Sequence, residues 1–401
     1  MTHNQDASRD FPWLHFPSPL PIPQHLLGEV RSKLAYVDDS IQSANVSEAE
    51  VSVQLNCAAD IDFSQKLEQK IHHVITAMVK GAVRPKAQIL EDHLDRPTPY
   101  NGDPLEELHQ RDEITQEIQG VYSLGPLLSR LIEAFEAQFL RLAESFEAAP
   151  YRFPVLIPAR YLERVNYFRA FPHSLSFATH LRSDLDVIDQ FSQTAACSDQ
   201  GLEVPGEAFA QFQTLLSPAV CYHLYFSLAD QPLPGGKLAA TSVGHCFRYE
   251  GINLTSLERL WDFTMREVIF VGPRDYVLEN REIARQRMAT YFEQIGLAYR
   301  VESANDPFFI GEFRKQAAFQ SAFDLKFEIR ASLPFKDSTL AVGSYNYHQD
   351  FFGRNLRISL PDGSPAHTGC VAFGLERIAF AYLAQYGLDP ERWPTPMKEV
   401  L

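Results

Sequence analysis

The sequence contains no run of 18 or more apolar residues, so a membrane-spanning helix is not expected. Its opening, MTHNQDASRDFPWLHF, lacks a basic flank followed by an apolar stretch and does not read as a secretory signal. Cysteine is scarce and scattered: Cys57, Cys197, Cys221, Cys246 and Cys370 are odd in number and include no C-x-x-C pair. That argues against a disulfide framework and for a reducing, cytoplasmic setting. No block rich in lysine and arginine occurs. Lys and Arg total 36 against 51 Asp and Glu, a formal charge of −15, which is not the footprint of a nucleic-acid binder. Gly235-Gly236-Lys237 lacks the spaced first glycine and the following Ser or Thr of a phosphate loop, and reads as a strand-connecting turn.

What is present is ordinary globular material, 45% hydrophobic and 22% charged, in a chain of 401 residues that leads us to expect two domains. Residues 11–23 are proline-rich and predicted to be extended. VSEAEVSVQLNC alternates as a strand does, and FSQKLEQKIHHVITAMVKG has helical apolar spacing that stops at Gly81. Residues 84–104, rich in Pro, Asp and Asn, read as a connector, and the domain boundary is placed within 84–117. An amphipathic helix is predicted over about 124–149, followed by a proline-bearing strand, YRFPVLIP. CYHLYFSLAD, KLAATSVGHCFRYE, residues 257–272, FDLKFEIRASLP and TLAVGSY are β-like, and residues 280–296 are helical. Residues 370–387 begin as a strand and continue as an apolar-striped helix. Strands outnumber crossover helices, so an α+β fold is expected, an antiparallel sheet flanked by helices. No internal repeat is visible.

Two segments carry chemistry. Phe247-Arg248-Tyr249-Glu250 puts an arginine and an acid two residues apart, on one face if the strand continues. With Arg259 beyond a turn, Arg248 could grip a phosphate, and Glu250 could bind an ammonium or an adenine amino group. Taken alone, the segment reads first as a strand with a surface Arg–Glu pair. Gly374-Leu375-Glu376-Arg377 opens a helix, a setting suited to an anion, or else an ordinary glycine turn with solvated Glu and Arg.

In combination and order these segments resemble motifs 2 and 3 of the class II aminoacyl-tRNA synthetases, spanning Arg248 to Glu267 and Gly374 to Ala381. The long helix running into a strand with Pro154 resembles motif 1, which forms the dimer interface of that family. The resemblance covers roughly 118–401 and leaves 1–117 as an N-terminal mixed α/β extension. It implies that Arg248 holds the α-phosphate of ATP and Arg377 the γ-phosphate, with Phe263 beneath adenine and Leu260 and Arg259 nearby. It also implies Mg²⁺ as ATP's companion, and positional and electrostatic catalysis.

Cys221, Glu267 and Cys370 are too widely separated for their spacing to indicate a metal, and a lone cysteine is commonly a buried small hydrophobe. Their places nevertheless resemble those of the zinc ligands in archaeal-type seryl-tRNA synthetases and in the truncated amino acid:carrier protein ligases similar to them. By that resemblance they hold Zn²⁺ with one position open for the substrate's amino group. Lys326 and Ala341-Val342-Gly343-Ser344 resemble ATP-contacting positions, and Asn346 and His348 the amino-acid pocket, although His348 by itself reads as a structural histidine. Cys57, Cys197 and Cys246 read as structural. The resemblance further implies a homodimer that activates a small amino acid as its adenylate and passes it to the phosphopantetheine thiol of an acyl or peptidyl carrier protein. A seryl-type tRNA ligase, or a synthetase-like paralogue without activity, remains the alternative reading. The acidic extension, with SEAEVSVQ and residues 89–113, argues against tRNA as the acceptor.

Overall fold

The computed structural model of the chain describes residues 13–80, 88–198, 201–304 and 325–399. The expected helix stop at Gly81, residues 84–87 of the connector, and positions 11, 12, 323 and 324 lie outside these ranges.

The extension has its own core. Strands β1 (Trp13–Pro17), β2 (Ile41–Val46) and β3 (Glu50–Leu55) form an antiparallel sheet in the order β1-β3-β2. Helices α1 (Leu27–Leu34) and α2 (Ile61–Val79) pack with it. In α2, Leu67, Ile71, Val74, Ile75 and Met78 recur at helical spacing and are buried. The Asp60 side chain accepts from Phe63 N at 2.8 Å and caps its start. VSEAEVSVQLNC, read as one strand, is instead the end of β2, a turn, and β3. Ser47 forces the difference: its N–H donates to Glu50 O at 2.8 Å and its hydroxyl accepts from Glu50 N at 3.0 Å.

The second unit is built on eight strands: β4 (Ile89–Asp92), β5 (Ala149–Pro150), β6 (Leu238–Phe247), β7 (Asp262–Gly272), β8 (Tyr299–Ser303), β9 (Lys326–Leu333), β10 (Ser338–Tyr347) and β11 (His367–Gly374). Their order is β4-β8-β9-β10-β11-β7-β6-β5. Every pair is antiparallel except β6–β5. This is the expected α+β fold. β4 lies inside the stretch read as a connector, and it pairs as the sheet's edge strand with β8.

Side chains alternate across the sheet. Val268, Phe270, Phe327, Ile329, Val371 and Phe373 enter one core with helices α3 (Pro126–Glu144), α5 (Arg274–Gln294) and α7 (Leu375–Tyr386). Phe139 of α3 stacks on Phe373, ring centroids 3.8 Å apart and planes 6° from parallel. Phe139→Ala is expected to cost about 3–5 kcal/mol, read as a lower urea midpoint; a loss under about 1 kcal/mol would mean that this core collapses around the gap. The alternate residues, Glu267, Ile269, Cys370 and Asn346, face the opposite side. There α4 (Cys221–Ser227) and α6 (Phe351–Leu356) pack in a second core.

Two expectations fail in this second layer. CYHLYFSLAD is helix α4 rather than β: Cys221, Leu224, Tyr225 and Leu228 fall at i, i+3, i+4 and i+7, all buried. YRFPVLIP is not one strand. Tyr151 follows the two-residue β5, and only Leu156–Pro158 pairs again, with Thr214–Leu216, because Pro154 has no N–H to continue a ladder. QPLPGG is a turn as expected, with Gly235 and Gly236 at φ +67° and +72°. No described helix is long and apolar enough to cross a membrane.

Candidate active site

Cys221 opens α4, Glu267 sits midway along β7 and Cys370 midway along β11, where it pairs with Ile269. One ligand atom from each lies within 4.8 Å of the others, and all three residues are buried. Glu267 Oε1 accepts from Val220 N at 3.1 Å and Cys221 N at 3.3 Å, while Oε2 is buried without a hydrogen-bond partner. An unpaired buried carboxylate oxygen is costly unless something positive faces it. Burial pushes the Cys221 thiol and the Glu267 carboxyl upward toward their neutral forms, and a divalent cation reverses that preference. Two sulfurs and a carboxylate are a donor set that tetrahedral zinc accepts, with one position left open. The three residues therefore fit a zinc ion.

The surroundings of the triad are fixed from β10. Asn346 Nδ2 donates to Ser344 Oγ at 2.9 Å and to Cys370 Sγ at 3.4 Å. The His348 ring is hydrogen-bonded to Thr368 Oγ1 at 3.1 Å and packs 5.2 Å from Phe352 and 5.9 Å from Tyr225. Tyr225, one helical turn after Cys221, was not anticipated. Its fully buried hydroxyl makes no hydrogen bond of good geometry, and Cys221 is among the groups acting on it. The available signal was the i, i+4 relation to Cys221, invisible while the segment read as a strand.

The arginines gather around the far end of β6. Arg248, Tyr249 and Glu250 lie beyond the strand, so the expectation that Arg248 and Glu250 share a strand face does not hold; the chain turns at Glu250 into Gly251–Asn253. Arg248 N donates to Trp261 O at 2.9 Å and its Nε to Pro218 O at 3.0 Å; its guanidinium lies 5.4 Å from the centroid of the Phe263 ring. Glu250 pairs with Arg259 across the loop. Arg377, in the first turn of α7, donates from Nη1 to Ala341 O at 3.4 Å. Burial alone would raise the Glu250 carboxyl, but Arg259, Arg377 and Arg248 together hold it below its ordinary value. Burial lowers Arg377, with Glu250 opposing. Three cations around one carboxylate leave net positive charge, the electrostatics that a polyphosphate requires. Arg248 acts on Glu267 as well as on Glu250, which links this cluster to the metal triad.

The remaining candidates separate by how they could act. Glu376 is not a solvated acid: both its oxygens accept from Thr264 N at 2.9 Å, pinning the start of α7 and hence Arg377. Leu260 and Val342 bury their side chains in the core, so only their backbones could meet a ligand. At Gly343 an added Cβ would lie 2.8 Å from Ala372 O, so β10 can approach β11 here only with glycine. Lys326 pairs with Glu328 at 3.3 Å, and Glu328 with Arg330 at 2.8 Å, on the sheet face that also carries Asn346. Glu328 was not anticipated; its alternation with Phe327 and Ile329 was the signal. Cys246 is buried, whereas Cys57 and Cys197 are exposed and all five cysteines are free.

No family model matches the sequence. The chain is 32% identical over 305 residues to amino acid–acyl-carrier-protein ligase 1 of Bradyrhizobium diazoefficiens, covering 76% of this chain and 91% of that protein. It is 34% identical over 309 residues to ligase 2 of the same organism, covering 76% and 89%. Among solved structures it superposes on the Methanopyrus kandleri seryl-tRNA synthetase in complex with A. aeolicus tRNASec, with a TM-score of 0.70 at 20% identity, covering 97% of this chain and 77% of that one. An antiparallel sheet with the synthetase fold and relatives at this identity over most of their length lead to one assignment: the chain belongs to the amino acid–acyl-carrier-protein ligases, a class II synthetase-like family.

Proposed function

We propose that the protein activates a small amino acid with ATP as the aminoacyl-adenylate and transfers it to the phosphopantetheine thiol of a carrier protein. The observation that carries this reading is one sheet bearing two adjoining clusters: the Cys221–Glu267–Cys370 triad, and the arginines Arg248, Arg259 and Arg377 around Glu250. Cys221, Glu267 and Cys370 would hold zinc, which would supply a Lewis acid for the substrate's amino group. Asn346 and His348 line the same end of the sheet and would orient the amino acid. Tyr225 and Phe352 fill space beside it, which favours a small side chain.

In the first half-reaction a carboxylate oxygen of the amino acid attacks the α-phosphorus, and the bond to pyrophosphate breaks. Arg248 would neutralise charge at the α-phosphate and Arg377 at the departing end, with Mg²⁺ accompanying ATP. Lys326 and the backbone of residues 341–344 would complete the ATP site. In the second half-reaction the carrier thiol attacks the activated carbonyl, loses its proton and releases AMP; no protein nucleophile is needed. Exposed Val155 and Leu156 beside Pro154 support a homodimer through this segment. Five free cysteines support a reducing, cytoplasmic location. We place the division between the two units between Val79 and Ile89, ahead of residue 117, because β4 already pairs in the large sheet.

The test has two parts. A panel of amino acids is offered in ATP–pyrophosphate exchange with the zinc-loaded protein; exchange driven by a small amino acid is expected, and none from any amino acid would end the enzymatic reading. The charged intermediate is then offered to holo carrier protein or to tRNA. A mass increase of one aminoacyl group on the carrier is expected, whereas labelled tRNA with an unmodified carrier would assign the acceptor to tRNA.

A further inference from the structure

The loop joining β6 to β7 carries Glu250 and Arg259, and it is tied down from two sides. Its distal half belongs to the catalytic unit. Trp261 N donates to Gly120 O at 2.8 Å, Gln119 Nε2 to Leu254 O at 3.2 Å, and Trp261 Nε1 to Ser176 Oγ at 2.7 Å. Glu258 pairs with Lys336 at 2.6 Å.

The proximal half, directly after Glu250, rests on the extension. Asn253 Nδ2 donates to Ser32 O at 2.9 Å. Ile252 packs against the extension's core. Gly251 takes φ +55°, a left-handed conformation that glycine adopts most readily, and it sits beside the end of α1, where an added Cβ would make ordinary contact with Ala35 O at 3.5 Å. Tyr36 meets His173 edge-on at 4.7 Å between centroids, and Tyr249 N donates to Ser174 O at 3.2 Å, so residues 173 and 174 border both the loop and α1's end.

Lys33 stands at the centre of this seam. It lies in the last turn of α1 and is only 5% exposed. Burial pushes its ammonium down to about 8, and Glu250, ahead of Glu29, is the carboxylate that resists the shift. The same Glu250 acts on Tyr36, whose hydroxyl burial holds in its neutral form, and Asn253 is among the groups acting on that hydroxyl. The extension thus places a buried cation and a phenol at the seam where Asn253 and Ile252 of the loop rest on it.

We propose that the extension is a built-in brace for the ATP loop, with Lys33 and Tyr36 as positioning residues that hold the Glu250–Asn253 turn in its ligand-ready place. This rests on the assignment of Glu250 and Arg259 to the ATP site. The physical reason is pre-organisation: a loop already fixed by the extension surrenders less freedom when ATP binds. Neither residue touches the reacting atoms, so the effect belongs in ATP affinity rather than in zinc binding or in the affinity for the amino acid.

The experiment is calorimetric titration of ATP into the full-length, zinc-loaded protein and into Lys33→Met, Asn253→Ala and Lys33→Arg. The first two are expected to weaken ATP binding by about five- to tenfold, the weight of one hydrogen bond or one charge contact, with zinc content and Tm retained. Lys33→Arg should restore most of the loss, and KM for the amino acid should stay within about twofold, since no amino-acid contact is removed. Unchanged ATP affinity in Lys33→Met and Asn253→Ala overturns the brace, and so does a loss that tracks a fall in Tm. If the unmodified chain binds ATP yet exchanges with no amino acid, the proposed reaction fails while the brace is still decided by the titration. If the unmodified chain does not bind ATP, both fall.

Discussion

Serine in place of Cys221 or Cys370 is expected to strip the metal and to end amino-acid-dependent pyrophosphate exchange together. The substitution is nearly isosteric, so the packing of α4 and β11 should survive. What changes is the donor: a serine hydroxyl stays protonated near neutral pH, whereas a thiol releases its proton to solvent when its sulfur binds a metal. Changes in the shell around a metal ligand typically cost about 10- to 100-fold in affinity or activity, and loss of a ligand itself should exceed that, so the expected drop is at least about 100-fold. Glu267→Gln should also lose metal: its amide oxygen can still accept from Val220 N and Cys221 N, but the position of the unpartnered Oε2 becomes an NH₂. Metal per chain by atomic absorption, exchange rate and far-ultraviolet circular dichroism are measured on the same samples. Full metal content in both cysteine variants would refute the ligand assignment.

The second large effect is expected at Arg377. Its alanine variant should lower kcat/KM for ATP by about 100- to 1000-fold, the usual consequence of deleting one pre-organised donor to developing charge. Arg377 is partly buried, bonded to Ala341 O, and held in register by Glu376 on Thr264 N, so its position is set before ATP arrives. Arg377→Lys should recover little, because a lysine ammonium is a single point of charge and cannot reproduce the planar fork. Removing this cation also leaves Glu250 less compensated, and its carboxyl should move toward its ordinary value or above it. Measured ATP affinity, exchange rate and KM for the amino acid separate the effects. A variant within threefold of the unmodified chain in kcat/KM for ATP would remove Arg377 from the phosphate site.

Where the sequence was legible, alternation or helical spacing was long enough to be unambiguous. The strands of residues 238–247, 326–333 and 338–347 and the helix of residues 61–79 fall where their patterns place them. The failures are short or proline-broken segments. Residues 221–227 are apolar nearly throughout and fit either period, so only burial against the sheet decides for a helix. The FRYE segment looked like strand because it follows one, but the turn at Glu250 is imposed by what holds the loop beyond it: Ser32 and Gly120, which bond Asn253 and Trp261, come from distant parts of the chain. Tyr225 and Glu328 carried no motif, and became part of the site only once α4 and β9 faced it.

From its sequence alone, this protein announced an adenylate-forming signature by the order of Arg248, Arg259 and the Gly374–Arg377 segment, and offered Cys221, Glu267 and Cys370 as metal ligands only through their resemblance to a family. Order along a chain survives without a structure because each motif is local. Convergence does not. That three donors lie within 4.8 Å of one another, that Glu267 keeps one oxygen unpaired, and that the extension meets the β6–β7 loop at Asn253 and Ile252 were decided by strand register and by packing between distant segments. Such contacts have no signature in spacing, because their energy comes from burial that exists only after the sheet is assembled.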